Sequence, residues 1–160
     1  MQIKTPRRRQ HSYTQRLKGA PAAVFELLCP VREADWIEGW DPEWVQSQSG
    51  LAELDCVFAT REAEQQAIWV VTRHEPLAGR VEMLKFLPEE SVCHLTIQVL
   101  PEGEAGSSAC ISYCLTSLGP KGEAQLEAFD EAYYLGFMQA WEARMNHFLL
   151  TGERLRDPQD

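Results

Sequence analysis

The stretch "KGEAQLEAFDEAYYLGFMQAWEARMNHFLLT", Lys121 to Thr151, decides how the rest of the chain must fold. Good helix formers dominate it, Gly136 is the one breaker in its interior, and Gly152 follows as a stop. At 100° per residue, Leu126, Asp130, Tyr133, Tyr134, Phe137, Trp141, Arg144, Met145 and Phe148 fall on one broad face. Glu131, Leu135 and Glu142 lie toward the other side. The pattern predicts one helix over 121–151, roughly 45 Å long. Its aromatic stripe must be covered by something.

The cover lies upstream, where the period changes from helical to alternating. Runs at 43–49, 55–62, 67–75, 80–87, 92–100 and 107–118 read as strands separated by turn signals. Their short connections predict antiparallel neighbours. In 92–100, Cys93, Leu95, Ile97 and Val99 alternate with His94, Thr96 and Gln98, so one face is buried and the other wet. The run 67–75 resists orientation. Trp69 and Arg73 share one face and Ile68, Val70, Thr72 and His74 the other, and both faces are mixed. Ahead of these runs come a strand over 11–18 and a short helix over 21–29, with Pro21 in its first turn and Pro30 as its stop. A second short helix over 31–38 carries Trp36.

Composition bounds the function. The chain has 160 residues, 44% hydrophobic and 24% charged, which suits one soluble domain able to fold without staples. Net charge is −9, but residues 1–10 are purely basic (Lys4, Arg7, Arg8, Arg9), so the remainder carries −13. Such a body repels phosphate backbones, and nucleic acid is not expected as a partner. Residues 1–10 read as a flexible basic arm, 11–152 as a single domain and 153–160 as a loose tail. No apolar run reaches the ~18 residues of a membrane helix, and no apolar segment follows the basic arm as in a signal peptide. The five cysteines (Cys29, Cys56, Cys93, Cys110, Cys114) form no C-x-x-C, and Cys110 and Cys114 would stand ~13 Å apart on a strand. They read as buried, reduced thiols of a cytoplasmic protein. The histidines His11, His74, His94 and His147 are scattered, so no metal site is expected.

Strand, two short helices, six antiparallel strands and one long C-terminal helix resemble the helix-grip fold. That fold belongs to the START-like superfamily, with its birch-pollen-allergen, polyketide-cyclase and heat-shock-chaperone-activator families. The residues that carry the resemblance are "PAAVFELL" (21–28), "EADWIEGW" (33–40), "HEPLAGRVE" (74–82) and "YCLTSLGPKG" (113–122). They mark the fold and form no catalytic signature. The pollen-allergen branch has a glycine-rich loop where this chain reads "SGLAELD" (49–55), with a single glycine, so the chain is similar to the small bacterial-type members.

The resemblance implies an α+β fold in which a seven-stranded antiparallel sheet wraps the long helix and leaves a cavity between them, with two short helices over one end. It puts a face bearing Trp36 and Trp40, with Glu33 beside Trp36, toward the cavity mouth. These two tryptophans can equally be plugs between the short helices and the sheet. Trp44 begins a strand and reads as structural. The other ligand-binding candidates are Phe58, Trp69, Tyr113, Asp130, Tyr133, Phe137 and Trp141. A lone carboxylate at Asp130 on an apolar face is costly unless paired or protonated. Arg144 is ~21 Å further along that face and cannot pair with it. The alternative is that Asp130 is simply solvated.

Three functions follow. The first is binding of a hydrophobic small molecule such as a lipid, polyketide or aromatic metabolite, by a monomer or homodimer without cofactor. The second is a cyclase or dehydratase, with Asp130 and Tyr113 as the acid–base nominees. The third is a chaperone-activator-like interaction domain, which needs an exposed apolar patch rather than a pocket. A cavity above ~300 Å³ separates the third from the other two.

Overall fold

The computed structural model describes residues 1–156. Seven strands form one antiparallel sheet: β1 (Arg8–Leu17), β2 (Trp44–Gln46), β3 (Val57–Glu62), β4 (Gln65–Glu75), β5 (Arg80–Leu87), β6 (Ser91–Glu102) and β7 (Gly106–Ser117). Their order across the sheet is β1-β7-β6-β5-β4-β3-β2, so the first and last strands in sequence are hydrogen-bonded neighbours. β1 starts at Arg8, so Arg8, Arg9 and Gln10 belong to the sheet rather than to the basic arm. In β6 the alternation holds along the strand, with Cys93, Leu95, Ile97 and Val99 buried beneath the sheet.

β4 explains its own mixed pattern. Its pairing with β5 slips between Val71 and Arg73, leaving Thr72 as the extra residue of a β-bulge. Ala67, Trp69 and Val71 face inward. Beyond the bulge the alternation inverts, and Arg73 turns outward to Glu82, with 3.3 Å between Nε and Oε1.

α1 (Pro21–Leu27) crosses one end of the sheet, followed by a 3-10 turn over Arg32–Asp35. The expected second helix over 31–38 is therefore only this turn. The long helix is also divided, into α2 (Pro120–Ala128) and α3 (Glu131–Thr151). Asp130 causes the division. It is the N-cap of α3, and its Oδ1 accepts the Tyr133 N–H at 2.7 Å, which satisfies a donor left open at a helix start. The preceding Phe129 turns its ring against Tyr134 at 5.6 Å, and its carbonyl bonds His11 Nε2 at 3.0 Å. α2 lies hard against the β5–β6 turn at Gly122, where an added Cβ would stand 1.9 Å from the Glu90 carbonyl oxygen.

α3 packs across the sheet through Tyr134, Met138, Trp141 and Met145, all buried. Its flank is tied to β1. Gln15 Nε2 donates to the Met138 carbonyl at 3.0 Å and the Tyr13 hydroxyl to Glu142 at 2.7 Å. Glu142 also accepts the Arg16 N–H, while Asn146 accepts the Lys18 N–H and donates to the Arg16 carbonyl. The expected loose tail 153–160 is described as far as residue 156, where Arg154 donates to the Ala34 carbonyl; residues 157–160 lie outside the described part.

The cysteines form no disulfide among the described residues. Cys29, Cys56 and Cys93 are buried, but Cys110 is exposed and Cys114 half-buried, because both stand on the outer sheet face opposite Gln98 and His94. The expectation of uniformly buried thiols is corrected at these two positions.

Candidate functional site

Between the sheet and α2–α3 lies a cavity of about 510 Å³. The sheet contributes inward-pointing residues at strand period 2, among them Phe58, Trp69, Met83, Leu95, Tyr113 and Leu115. α3 contributes Tyr133, Phe137 and Trp141, spaced by four as one helical stripe requires. The loop after α1 adds Pro30, Ile37 and Trp40. The aromatic walls pack on each other. Phe58 and Trp69 stack at 5.4 Å and 9°, Trp40 meets Phe58 edge-on at 6.5 Å, and Phe137 meets Tyr113 edge-on at 6.1 Å. Tyr133 is 60% exposed and stands at the outer margin, stacked on Phe137.

Of the nine residues expected at the site, Trp40, Phe58, Trp69, Tyr113, Tyr133, Phe137 and Trp141 line this cavity. Trp36 and Asp130 do not. Trp36 is wholly buried outside the cavity, its Nε1 donating to the Leu27 carbonyl at 2.9 Å and its ring edge-on to Trp141 at 5.1 Å. The shared face expected of Trp36 and Trp40 needed a helix through Gly39. The chain instead turns there at φ +76°, a conformation glycine tolerates, and sends the two indoles to different places. The Trp40 N–H is held separately by the Pro30 carbonyl at 2.7 Å. Asp130 is an exposed helix cap, so it drops out as a ligand or acid–base candidate.

The polar groups of the cavity were mostly not foreseen. Glu33 is 7% exposed and lines the cavity from the 3-10 turn. Burial pushes its carboxyl up to about 8, with no contributing hydrogen bond or charge among the described residues. Glu62 and Lys85 also line the cavity, as an ion pair, with Lys85 Nζ 5.2 Å from the centroid of the Trp69 ring. From α2 comes Gln125, whose buried Oε1 has no partner among the described residues. Burial also lifts the Tyr113 phenol well above its usual range, helped by neighbouring Cys93 and Glu33, and the Cys93 thiol is pushed by burial up to about 12. Neither is a nucleophile at neutral pH.

A signal for part of this set lies in the sequence. Phe58 and Thr60 share an inward face, and the same period reaches Glu62; Val81, Met83 and Leu87 share another, and Lys85 falls between them. Glu33 has a weaker signal, its spacing of three from Trp36. Among the described residues no cluster of histidine, cysteine, aspartate or glutamate could hold a metal ion, and no helix is long and apolar enough to cross a membrane.

No family model matches this chain, and no curated protein matches it. Solved structures do. A truncated norcoclaurine synthase from Thalictrum flavum superposes with a TM-score of 0.67 at 11% identity, over 94% of this chain and 98% of that one. An uncharacterised protein from Rhizobium leguminosarum gives 0.65 at 14% identity, over 93% and 99%. Ara h 8.0201 gives 0.60 at 10% identity, over 90% and 99%. At such identities the likeness is one of fold. The chain has the helix-grip fold that these neighbours share, a seven-stranded antiparallel sheet wrapped around a long C-terminal helix.

Proposed function

We propose that this protein binds an apolar or aromatic small molecule in the cavity between its sheet and α3. The observation that carries the reading is the cavity itself, about 510 Å³ and walled, among the described residues, by eight aromatic side chains from β3, β4, β7, α3, the loop after α1 and the α2–α3 junction. That is the size range of small-molecule pockets, with few polar groups among apolar walls. An interaction domain of the chaperone-activator type would use an exposed patch instead, for which Leu84 and Phe86 on the outer sheet face are the nearest material. The thiol-rich, disulfide-free chain fits a cytoplasmic setting.

A second reading is a cyclase- or dehydratase-like enzyme, as the name of the norcoclaurine synthase neighbour allows by analogy of fold. Glu33 supports it, since a carboxyl kept protonated in an apolar site is the form in which such a group donates a proton or hydrogen bond.

The test is fluorescence titration with Nile red, a neutral apolar dye, in wild type, Trp40→Ala and Phe137→Ala. Each ring lost from the wall should weaken binding about fivefold, from ~1 kcal/mol of aromatic contact. Equal affinity in the three folded proteins would refute the cavity as the binding site.

A further inference from the structure

Among the described residues two carboxyl groups face the cavity, and they are not treated alike. Glu62 is complete: it pairs with Lys85, whose ammonium lies 5.2 Å from the centre of the Trp69 ring. Carboxylate, ammonium and indole together make a small cation site filled by the chain itself. Glu33 stands on the wall with Trp40, Tyr113 and Trp141, nine-tenths buried, and has the carboxyl and the aromatic surroundings but no ion pair among the described residues. We propose that the missing member is supplied by the guest, and that the cavity takes an aromatic or otherwise apolar molecule bearing a basic amine, whose ammonium pairs with Glu33. This inference rests on the small-molecule reading of the cavity and narrows it to one ligand class.

The surroundings of Glu33 leave that role open to a ligand. On its own turn, Arg32 is held by Asp35 at the surface, with Nε 2.6 Å from Oδ2. From β7 it faces the neutral Tyr113 phenol. The wall's own cations are Lys85 on β5, already paired, and Arg144 on α3, and neither draws the Glu33 carboxyl down. A carboxyl in this state carries its proton at neutral pH. When an ammonium enters, Glu33 gives that proton to solvent, the guest keeps its own, and an N–H···O bond forms between opposite charges. The net charge of −9 favours a cationic guest at the encounter stage as well.

Proton release gives the test its sign. The matched probes are 2-(1-naphthyl)ethylamine, 2-(1-naphthyl)ethanol and 1-ethylnaphthalene, titrated calorimetrically from pH 6 to 9. Affinity for the amine should rise about tenfold from pH 6 to 7, level off above about pH 8, and be accompanied by release of close to one proton. The alcohol, which needs no charge opposite it, should bind equally at pH 6 and 7 and more weakly above pH 8, where Glu33 ionises unpaired. In Glu33→Gln the amine should lose its pH dependence and bind at least tenfold more weakly at pH 8, while the alcohol and the hydrocarbon keep their wild-type affinity at pH 6. Parallel pH profiles for amine and alcohol in the wild type would overturn the inference, as would an unchanged amine profile in Glu33→Gln. Should that variant not fold, the opposite slopes in the wild type decide alone. If the hydrocarbon itself fails to bind, it is the small-molecule reading that falls.

Discussion

At the end of the cavity beneath α1 and the 3-10 turn, Trp36 is wholly buried, its N–H is bonded to a carbonyl, and its ring meets Trp141. At the end beneath α2, Tyr133 is 60% exposed, Gln125 has a buried oxygen without a partner among the described residues, and the helix is interrupted at Asp130. The first end is closed by filled volume. The second is closed only by a short helix and a junction, so its cover rests on capping and on the close approach at Gly122 rather than on packed rings. In a gripped-helix protein these are different ways to bound one cavity, and they fail under different perturbations.

The contrast is broken most directly at Trp36. Trp36→Ala should cost about 3–5 kcal/mol, the range for removing a large buried aromatic, whereas Tyr133→Ala at the other end should stay within about 0.5 kcal/mol, as exposed positions do. Urea unfolding of both variants checks this, and similar midpoints would erase the distinction. A second effect belongs to Glu33 at the closed end. Its ordinary value is 4.5, and burial raises it to about 8, so the folded state holds the proton more tightly than the unfolded chain. Stability is therefore greatest below about pH 4.5 with respect to this group, falls as pH rises from there to about 8, and is level beyond. The loss is on the order of a few kcal/mol. Glu33→Gln should flatten that slope, measured as the difference in unfolding free energy between pH 5 and pH 8.5. The smallest effect sharpens the picture of the other end. Asp130→Ala should cost about 1 kcal/mol by removing the α3 cap, and Asp130→Ser should restore most of it; a loss above about 3 kcal/mol would mean that Asp130 does more than cap.

The sheet was legible because its signal is local and strictly periodic. Cys93, Leu95, Ile97 and Val99 alternate without interruption, and a strand so patterned has one way to face a core. β4 was not legible because a single bulge at Thr72 changes the phase, and no residue type there announces it. The break between α2 and α3 hid behind good helix formers. Its one mark is an aspartate followed by Glu131, a start signal that reads as mid-helix when the apolar stripe runs on past it. For the site, the aromatic stripe of α3 pointed to Tyr133, Phe137 and Trp141, whose placement follows from helix spacing alone. Trp36 and Trp40 separated because their positions depend on one glycine's backbone angle, which spacing does not encode. Glu33 needed burial to become notable, and burial is a property of the assembled structure.

The way α3 lies along β1 has a colloidal consequence. An open sheet ends in two strands whose free N–H and C=O groups can recruit a strand from another molecule. Here Glu142 and Asn146 occupy outward backbone groups of Arg16 on one border strand and of Lys18 just beyond its end, and the other border strand, β2, is only three residues long. One border is thus partly saturated by side chains and the other too short to template an addition. The fold carries its own protection against strand-by-strand growth, and concentrated samples should stay free of cross-β assemblies for as long as α3 remains docked.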